Sequence, residues 1–400
     1  MKKVIVLPGS DFQIPLVKEV KCLGYEVTVI SPNEDSPAFR FADHFECADI
    51  LDRQTCLRIA QRLNIDAVLT DECDIAMPTV GYISDNLGLN SLGSKNASLY
   101  TNKSLMRDFC VTHNLDTPEY QLCTTIEEAK QFFAQINAKC IIKPLDGNSS
   151  RGVFTIESVH EIEKYFHDAL LFSKCASAVL IERYVEGTEF TIDGIMTEDG
   201  HKSLAISEKK HYEHNKNIAY QLFFSHHNER FNYNVLRETN DKFVNISDLA
   251  VGCFTHAEYK FRDGKFYLIE IGARGGGNFI SSDIVPIMTG FNNYQYYIDA
   301  MLGNEKKPLI IDNENNNRCA VLYFFDTPNI GIVKEIKGLD FIENCPGIVR
   351  YKLNFKIGDK IEKAANDSSR IGFYIAYAEN EQNLISLMNE INDHFKLIII

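Results

Sequence analysis

From Lys3 to Thr70 the chain alternates short apolar runs with helix-patterned stretches, and that alternation leaves little choice but a parallel sheet. Val4–Leu7 reads as a buried strand, and a helix follows through about Leu23. Glu26–Ile30 is a second strand, and Ala67–Thr70 is another after a helix near Cys56–Leu63. The expectation is a doubly wound α/β unit over residues 1–98. Its first turn, Pro8-Gly9-Ser10-Asp11, lacks the spacing G-x-G-x-x-G, so a nicotinamide-binding reading is weak. The unit is expected to shape one wall of a site. The start, Met1 to Val6, looks briefly like a secretory leader, but its apolar run stops at Pro8-Gly9, as a strand would.

The full 400 residues fit two to four packed units. The formal net charge of −14 repels phosphate backbones, so no nucleic-acid partner is expected, and an anionic ligand needs a local cationic pocket. Individual lysines therefore carry more information than the total. The 11 cysteines stand singly, without C-x-x-C pairs or zinc spacing, which reads as reduced thiols in a cytoplasmic protein. No run reaches roughly 18 apolar residues, so no membrane span is expected. A homodimer is a base-rate expectation only.

Beyond Thr101 the texture changes. A helix over Asn102–Thr112 precedes strand Cys140–Lys143, the small polar loop Asp146–Gly152, strand Val153–Glu157, a helix, and strand Ala178–Val185. Glu189–Met196 is a further strand. Residues 207–229, rich in Lys, His and Asn, read as a long polar loop beside substrate, followed by a helix near Phe243–Val251 and a hairpin from Thr255 to Ile271. The last stretch reads as short strands and a terminal helix near Gln382–Phe395.

The loop Asp146–Gly152 can offer backbone N–H groups to a phosphate chain, although a hairpin turn explains it equally well. It is no Walker A loop, since no Gly-Lys-Ser/Thr opens a helix there. Lys143 ends an apolar strand, where a buried charge needs an anion unless it snorkels out. The linker from Glu182 to Glu189 can present backbone groups to an adenine edge and a carboxylate to an amine or ribose; a surface turn with solvated glutamates is the plainer reading. Glu258 and Glu270 lie on the two arms of the hairpin. A two-residue Asp263-Gly264 loop would put them on opposite faces; a three-residue loop would put them on one. Two facing carboxylates imply a hard cation such as Mg²⁺, so the odd-numbered loop is expected. The competing reading has one glutamate solvated and the other paired with Lys260 or Arg262. Arg274, four residues after Glu270 and followed by Gly275-Gly276-Gly277, can reach a phosphate or a carboxylate.

The order Lys, Lys, small-residue loop, Glu182-x-x-x-x-Gly187-x-Glu189, paired carboxylates, then Arg with glycines resembles the ATP-grasp superfamily across the whole chain. Thr255-His256-Ala257-Glu258-Tyr259-Lys260 and Glu270-Ile271-Gly272-Ala273-Arg274-Gly275-Gly276 are similar to its L-amino-acid ligase branch. The resemblance implies an α/β and α+β multidomain fold: a Rossmann-like pre-ATP-grasp domain (1–98), an ATP-grasp domain (99–305, lid lobe about 115–187) and a small C-terminal α+β domain (306–400). It implies an ATP-dependent carboxylate–amine ligase working through an acyl phosphate, on small-molecule acid and amine substrates. Lys103 and Lys143 would contact nucleotide, Ser149, Ser150 and Gly152 would form the phosphate loop, and Glu182 with the backbone of Tyr184 and Val185 would hold adenine. Glu189 would hold ribose, Glu258 and Glu270 would bind one or two Mg²⁺ (or Mn²⁺), and Arg274 would stabilise the transferring phosphoryl group. His226 is a substrate-side candidate, and Lys209 or Lys210 a further phosphate contact. Many superfamily members end the metal motif in Glu-x-Asn; here Gly272 takes the Asn place, which leaves the metal count open. Purine-synthesis ligases, biotin-carboxylase-like enzymes and a non-catalytic ATP-binding regulator share the layout.

Overall fold

The computed structural model describes residues 1–147, 150–306, 308–309, 317–327 and 329–400. The first unit is a parallel sheet ordered β3-β2-β1-β4, from β1 (Lys3–Val6), β2 (Glu26–Ser31), β3 (His44–Cys47) and β4 (Ala67–Leu69). Its helices are α1 (Ile14–Cys22), α2 (Arg53–Leu63), α3 (Met77–Leu87) and α4 (Gly93–Leu99). Strands β1, β2 and β4 are buried on both faces, the usual state of parallel strands, while the edge strand β3 is largely exposed, and the βαβ expectation holds.

Helix α5 (Lys103–Thr112) is capped by Asn102, whose side chain accepts from the backbone N–H of Ser104 and Leu105. It leads into an antiparallel sheet ordered β5-β8-β6-β7. The strands are β5 (Tyr120–Cys123), β6 (Cys140–Pro144), β7 (Phe154–Ile156) and β8 (Val179–Arg183), backed by α6 (Ile126–Ile136) and α7 (Val159–Leu170) around a core of their own.

The central sheet runs β13-β12-β9-β10-β11-β14-β18-β16. Its first half is β9 (Thr188–Thr197), β10 (Gly200–His211), β11 (Ala219–Phe224), β12 (Phe254–Arg262) and β13 (Lys265–Gly272), with α8 (Tyr233–Ile246), α9 (Val285–Thr289) and α10 (Asn293–Met301) packed nearby. The remainder comes from the C-terminal region: β14 (Cys319–Phe324), β16 (Ile348–Leu353) and β18 (Gly372–Ala378). A small sheet β17-β15-β19 completes the fold with β15 (Gly331–Lys337), α11 (Leu339–Asn344), β17 (Lys360–Ile361), α12 (Glu381–His394) and β19 (Lys396–Ile399).

Two expectations need correction. Residues 207–229 are not one long loop: β10 continues to His211 and β11 begins at Ala219. The end of β10 is polar on both faces because Lys209 meets a charged cavity and Glu208 and Lys210 line a second groove. The helix placed near Phe243–Val251 begins at Tyr233, capped by Asn232. The C-terminal strands join the central sheet through the β11–β14 pairing, which seats Leu322 beside Leu222. Among the described residues no helix is long and apolar enough to cross a membrane. All 11 cysteines are unpaired.

Candidate active site

Register puts the chemistry on one face of the central sheet. Across β12 and β9 the pairs are His256 with Asp193, Glu258 with Thr191 and Lys260 with Glu189. Across β12 and β13 Glu258 stands directly opposite Glu270, and His256 opposite Gly272. Lys209 of β10 pairs with Leu222 of β11 on the same face. All of these except Asp193 and Lys260 line a cavity of about 320 Å³. Leu322 and Phe324 extend the floor, Arg370 joins it from the C-terminal region, and Phe12, Glu72 and Asp74 close it from loops after β1 and β4. The first unit does form a wall, at the carboxyl ends of its parallel strands.

The facing of Glu258 and Glu270 has a different cause from the one expected. The turn is the two-residue loop, with Arg262 paired to Lys265, and Asp263 and Gly264 both left-handed at φ 50° and 82°. That is the type I′ pattern favoured by Asp-Gly. Parity is restored further along. Tyr259 pairs with Leu268 and Glu258 with Glu270, so Ile269 is an extra residue, a β-bulge. The one-residue slip turns Glu270 to the face of Glu258.

Cations hold these carboxylates. Lys209 Nζ lies 2.6 Å from Glu189 Oε1 and 2.8 Å from Glu258 Oε1. Lys103 Nζ lies 2.8 Å from Glu270 Oε1 and donates to Gly147 O at 2.8 Å. Burial alone would raise the Glu258 carboxyl, but the Lys209 charge outweighs it and holds the group below the usual range. Glu189 is held further down by Lys209, His211 and Lys260 against the same penalty, so its expected ribose contact starts from an already engaged carboxylate. Lys260 thus serves Glu189 at 3.7 Å.

Arg274 makes a forked pair with Asp74, Nε to Oδ1 and Nη2 to Oδ2 both at 2.9 Å, and Nη1 donates to Gly275 O at 3.0 Å. Asp74 is pushed up by burial and pulled lower by that guanidinium, with a net fall. The same pair explains the missing asparagine: a Cβ on Gly272 would lie 2.8 Å from Asp74 Oδ1 and 3.3 Å from Arg274 Nε. Two facing loops are strained at the cavity. Glu72, Asn278 and Phe279 have φ of 54°, 58° and 67°, and Phe279 N donates to Glu72 Oε1 at 2.9 Å. Burial, then the Asp71 charge, raises Glu72 well above the carboxylate range.

Beside the cavity lies a second cluster. Glu182 accepts from Arg107 Nε at 2.7 Å and pairs with Lys143 Nζ at 2.8 Å, all three buried. Burial draws Lys143 down to about 8, with Glu182 opposing the fall. The Glu182 carboxylate is thus committed to protein cations, and the Tyr184 N–H donates to Lys139 O at 2.9 Å. Two of the groups expected at adenine, the Glu182 carboxylate and the Tyr184 N–H, already have protein partners. Ser150 lines the cavity, left-handed at φ 57°, with Oγ donating to Asp367 Oδ2 at 2.7 Å. Gly152 is left-handed at 72°, and a Cβ there would meet the Phe172 ring at 2.6 Å. Ser149 lies outside the described residues.

His226 is not brought to the cavity. It is buried after β11, its carbonyl accepts from Arg237, and burial with the Arg237 charge pushes its imidazole down to about 4. Of the two candidate lysines, Lys209 faces the site and Lys210 lines a groove elsewhere. The residues missed from sequence are Arg107, Asp74, Glu72, His256 with Asp193, and Arg370. Only Arg107 carried a signal, as a second cation one helical turn after Lys103.

A family model described as an ATP-grasp domain matches residues 136–283. A second, described as L-amino acid ligase C-terminal domain 2, matches residues 323–399. The chain carries an ATP-grasp domain. The fold of this chain is similar to that of an L-amino acid ligase from Bacillus licheniformis, with a TM-score of 0.83 and 19% identity over 100% of this chain and 99% of that one. It is also similar to the biotin carboxylase domain of a Hydrogenobacter thermophilus 2-oxoglutarate carboxylase, solved with MgADP and bicarbonate, with a TM-score of 0.76 and 16% identity over 100% and 91%. A formate-dependent phosphoribosylglycinamide formyltransferase of Chlorobaculum tepidum is 29% identical over 166 residues, 41% of this chain and 42% of that protein. The match therefore spans less than half of that relative's length.

Among the described residues no three metal-binding side chains stand together. Two facing carboxylates still fit Mg²⁺, which takes one or two carboxylates and completes its shell with phosphates and water.

Proposed function

We propose that this ATP-grasp protein is a MgATP-dependent carboxylate–amine ligase of the amino-acid type, releasing ADP and phosphate. The observation that carries the reading is the meeting of Glu258, Glu270, Lys209 and Arg274 in one cavity, joined there by Phe324 and Arg370 of the region that matches the amino-acid ligase C-terminal domain.

Glu258 and Glu270 would hold Mg²⁺, whose charge neutralises phosphate oxygens when bound. Lys103 and Lys143 would steady the nucleotide, with Ser150 and Gly152 in the loop over its phosphates. A substrate carboxylate oxygen attacks the γ-phosphorus, an O–P bond forms, and the bond to ADP breaks. Arg274 is suited to the charge that develops there. Three of its N–H groups are fixed on Asp74 and Gly275, and two of the five remain to face an anion. The amine nitrogen then attacks the acyl carbon, phosphate leaves, and the nitrogen loses a proton. The work of the protein is positioning and electrostatics.

The curated relatives suggest a second reading, with formate as the acid and a phosphoribosyl amine as the nucleophile. One assay tests both. Phosphate release from MgATP is measured with pooled L-amino acids, with formate plus phosphoribosylglycinamide, and with bicarbonate, and products are weighed by mass spectrometry. Turnover with particular amino-acid pools and a dipeptide-sized product is expected. Turnover with formate alone moves the protein to the second reading, and bicarbonate dependence to a carboxylase-like one. ATP binding without turnover on any pair leaves a regulatory ATP-binding role.

A further inference from the structure

Helix α5 sends two cations, Lys103 and Arg107, four residues apart, into the site from one face. Lys103 reaches Glu270 itself. Arg107, with no exposed surface, takes a less direct path. Its Nε donates to Glu182 Oε1 at 2.7 Å. Its Nη2 donates to Glu182 Oε2 at 3.3 Å and to the backbone oxygen of Ile269 at 2.7 Å. Ile269 is the bulge residue, the one position of β13 between Phe266 and Gly272 without a partner on β12. A bulge leaves backbone groups outside the ladder, and a buried carbonyl without a partner is costly. Arg107 supplies the partner where the strand changes parity, one residue before Glu270.

We propose that Arg107 is a positioning residue for the metal pair: by holding the bulge carbonyl it keeps Glu270 on the face of Glu258, and through Glu182 it ties that parity to Lys143. The inference rests on Glu258 and Glu270 being the metal pair. Without the bulge β13 would keep the parity of its two-residue turn, and Glu270 would face away from Glu258. Lysine cannot replace Arg107, because a single ammonium lacks the planar fork that serves Glu182 and Ile269 O together.

The test is the gain in affinity that a metal gives a non-hydrolysable ATP analogue, by calorimetry in Mg²⁺ and in EDTA. Wild type should bind more tightly with Mg²⁺. Arg107→Lys should lose roughly 10- to 100-fold of that gain, the usual scale for groups that orient metal ligands. Val20→Ala, a distant core change in α1, should lose stability and keep the whole gain. An Arg107→Lys protein that keeps the full gain overturns the inference. Should that variant not fold, deletion of Ile269 takes its place: loss of the gain is expected, and an undiminished gain overturns the inference. A wild type that binds equally with and without Mg²⁺ removes the metal pair, and the inference with it.

Discussion

Two ionic clusters lie side by side in this protein, made of the same residue types and in opposite states. In Arg107–Glu182–Lys143 the side chains are 0%, 2% and 5% exposed, and the carboxylate is met on both oxygens. In the floor cluster Glu258 and Glu270 are 31% and 36% exposed, and each leans on a lysine through one oxygen. The closed cluster is a rigid support of two cations on one carboxylate, with one positive charge left over. The open one has lone pairs free toward the cavity. A metal can enter the second without dismantling anything and cannot enter the first, whose left-over positive charge can only attract a phosphate chain lying beside it.

Several substitutions can break or sharpen that contrast. Glu270→Ala should lower kcat/KM for Mg²⁺-dependent turnover on the order of 1000-fold, since a catalytic metal is worth several kcal/mol. Its melting temperature should stay close to wild type, and steady-state kinetics with calorimetric melting check both; an unfolded variant would make Glu270 structural. Glu182→Gln should act the other way round, leaving two buried cations underpaired at a cost of about 3–5 kcal/mol by chemical denaturation. Glu258→Gln, partly exposed, should cost less than about 1 kcal/mol in the same experiment.

A pH profile probes the closed cluster more gently. Lys143 is drawn down to about 8 from 10.5 by burial, with Glu182 opposing. Between those values the unfolded chain holds more protons, so the Lys143 contribution to stability rises with pH through that window. Its charge toward phosphate is lost over the same range. Metal-free affinity for an ATP analogue should therefore fall above about pH 8, and Lys143→Arg should flatten the profile. The smallest effect is expected at the hairpin tip. Gly264→Ala meets a φ of 82° and should cost roughly 1 kcal/mol, with no change in metal dependence, because parity is set at Ile269 and not at the turn.

Much of this molecule was legible in the chain itself. The βαβ alternation, the helix from Asn102 and the order of Lys143, Glu182, Glu258, Glu270 and Arg274 are local signals, carried by neighbours in sequence, whereas the turn at Asp263-Gly264 was misread as a three-residue loop because the bulge that sets parity lies at Ile269. Residues 207–229 misled because a strand facing a charged cavity is as polar as a loop. His226 misled because a histidine near a site in sequence can point into a core.

What the sequence determined, then, was which side chains exist, their spacing, and the elements that carry them, since backbone propensity and periodicity act over a few residues. What only the tertiary structure decided was pairing. The Ile269 bulge depends on Arg107, which is 162 residues away, and the absence of a side chain at Gly272 depends on Asp74 meeting Arg274 across 200. Whether a carboxylate is sealed, like Glu182, or left open, like Glu270, is set by the cations and the burial that distant segments bring to it, and one strand's pattern carries no record of either.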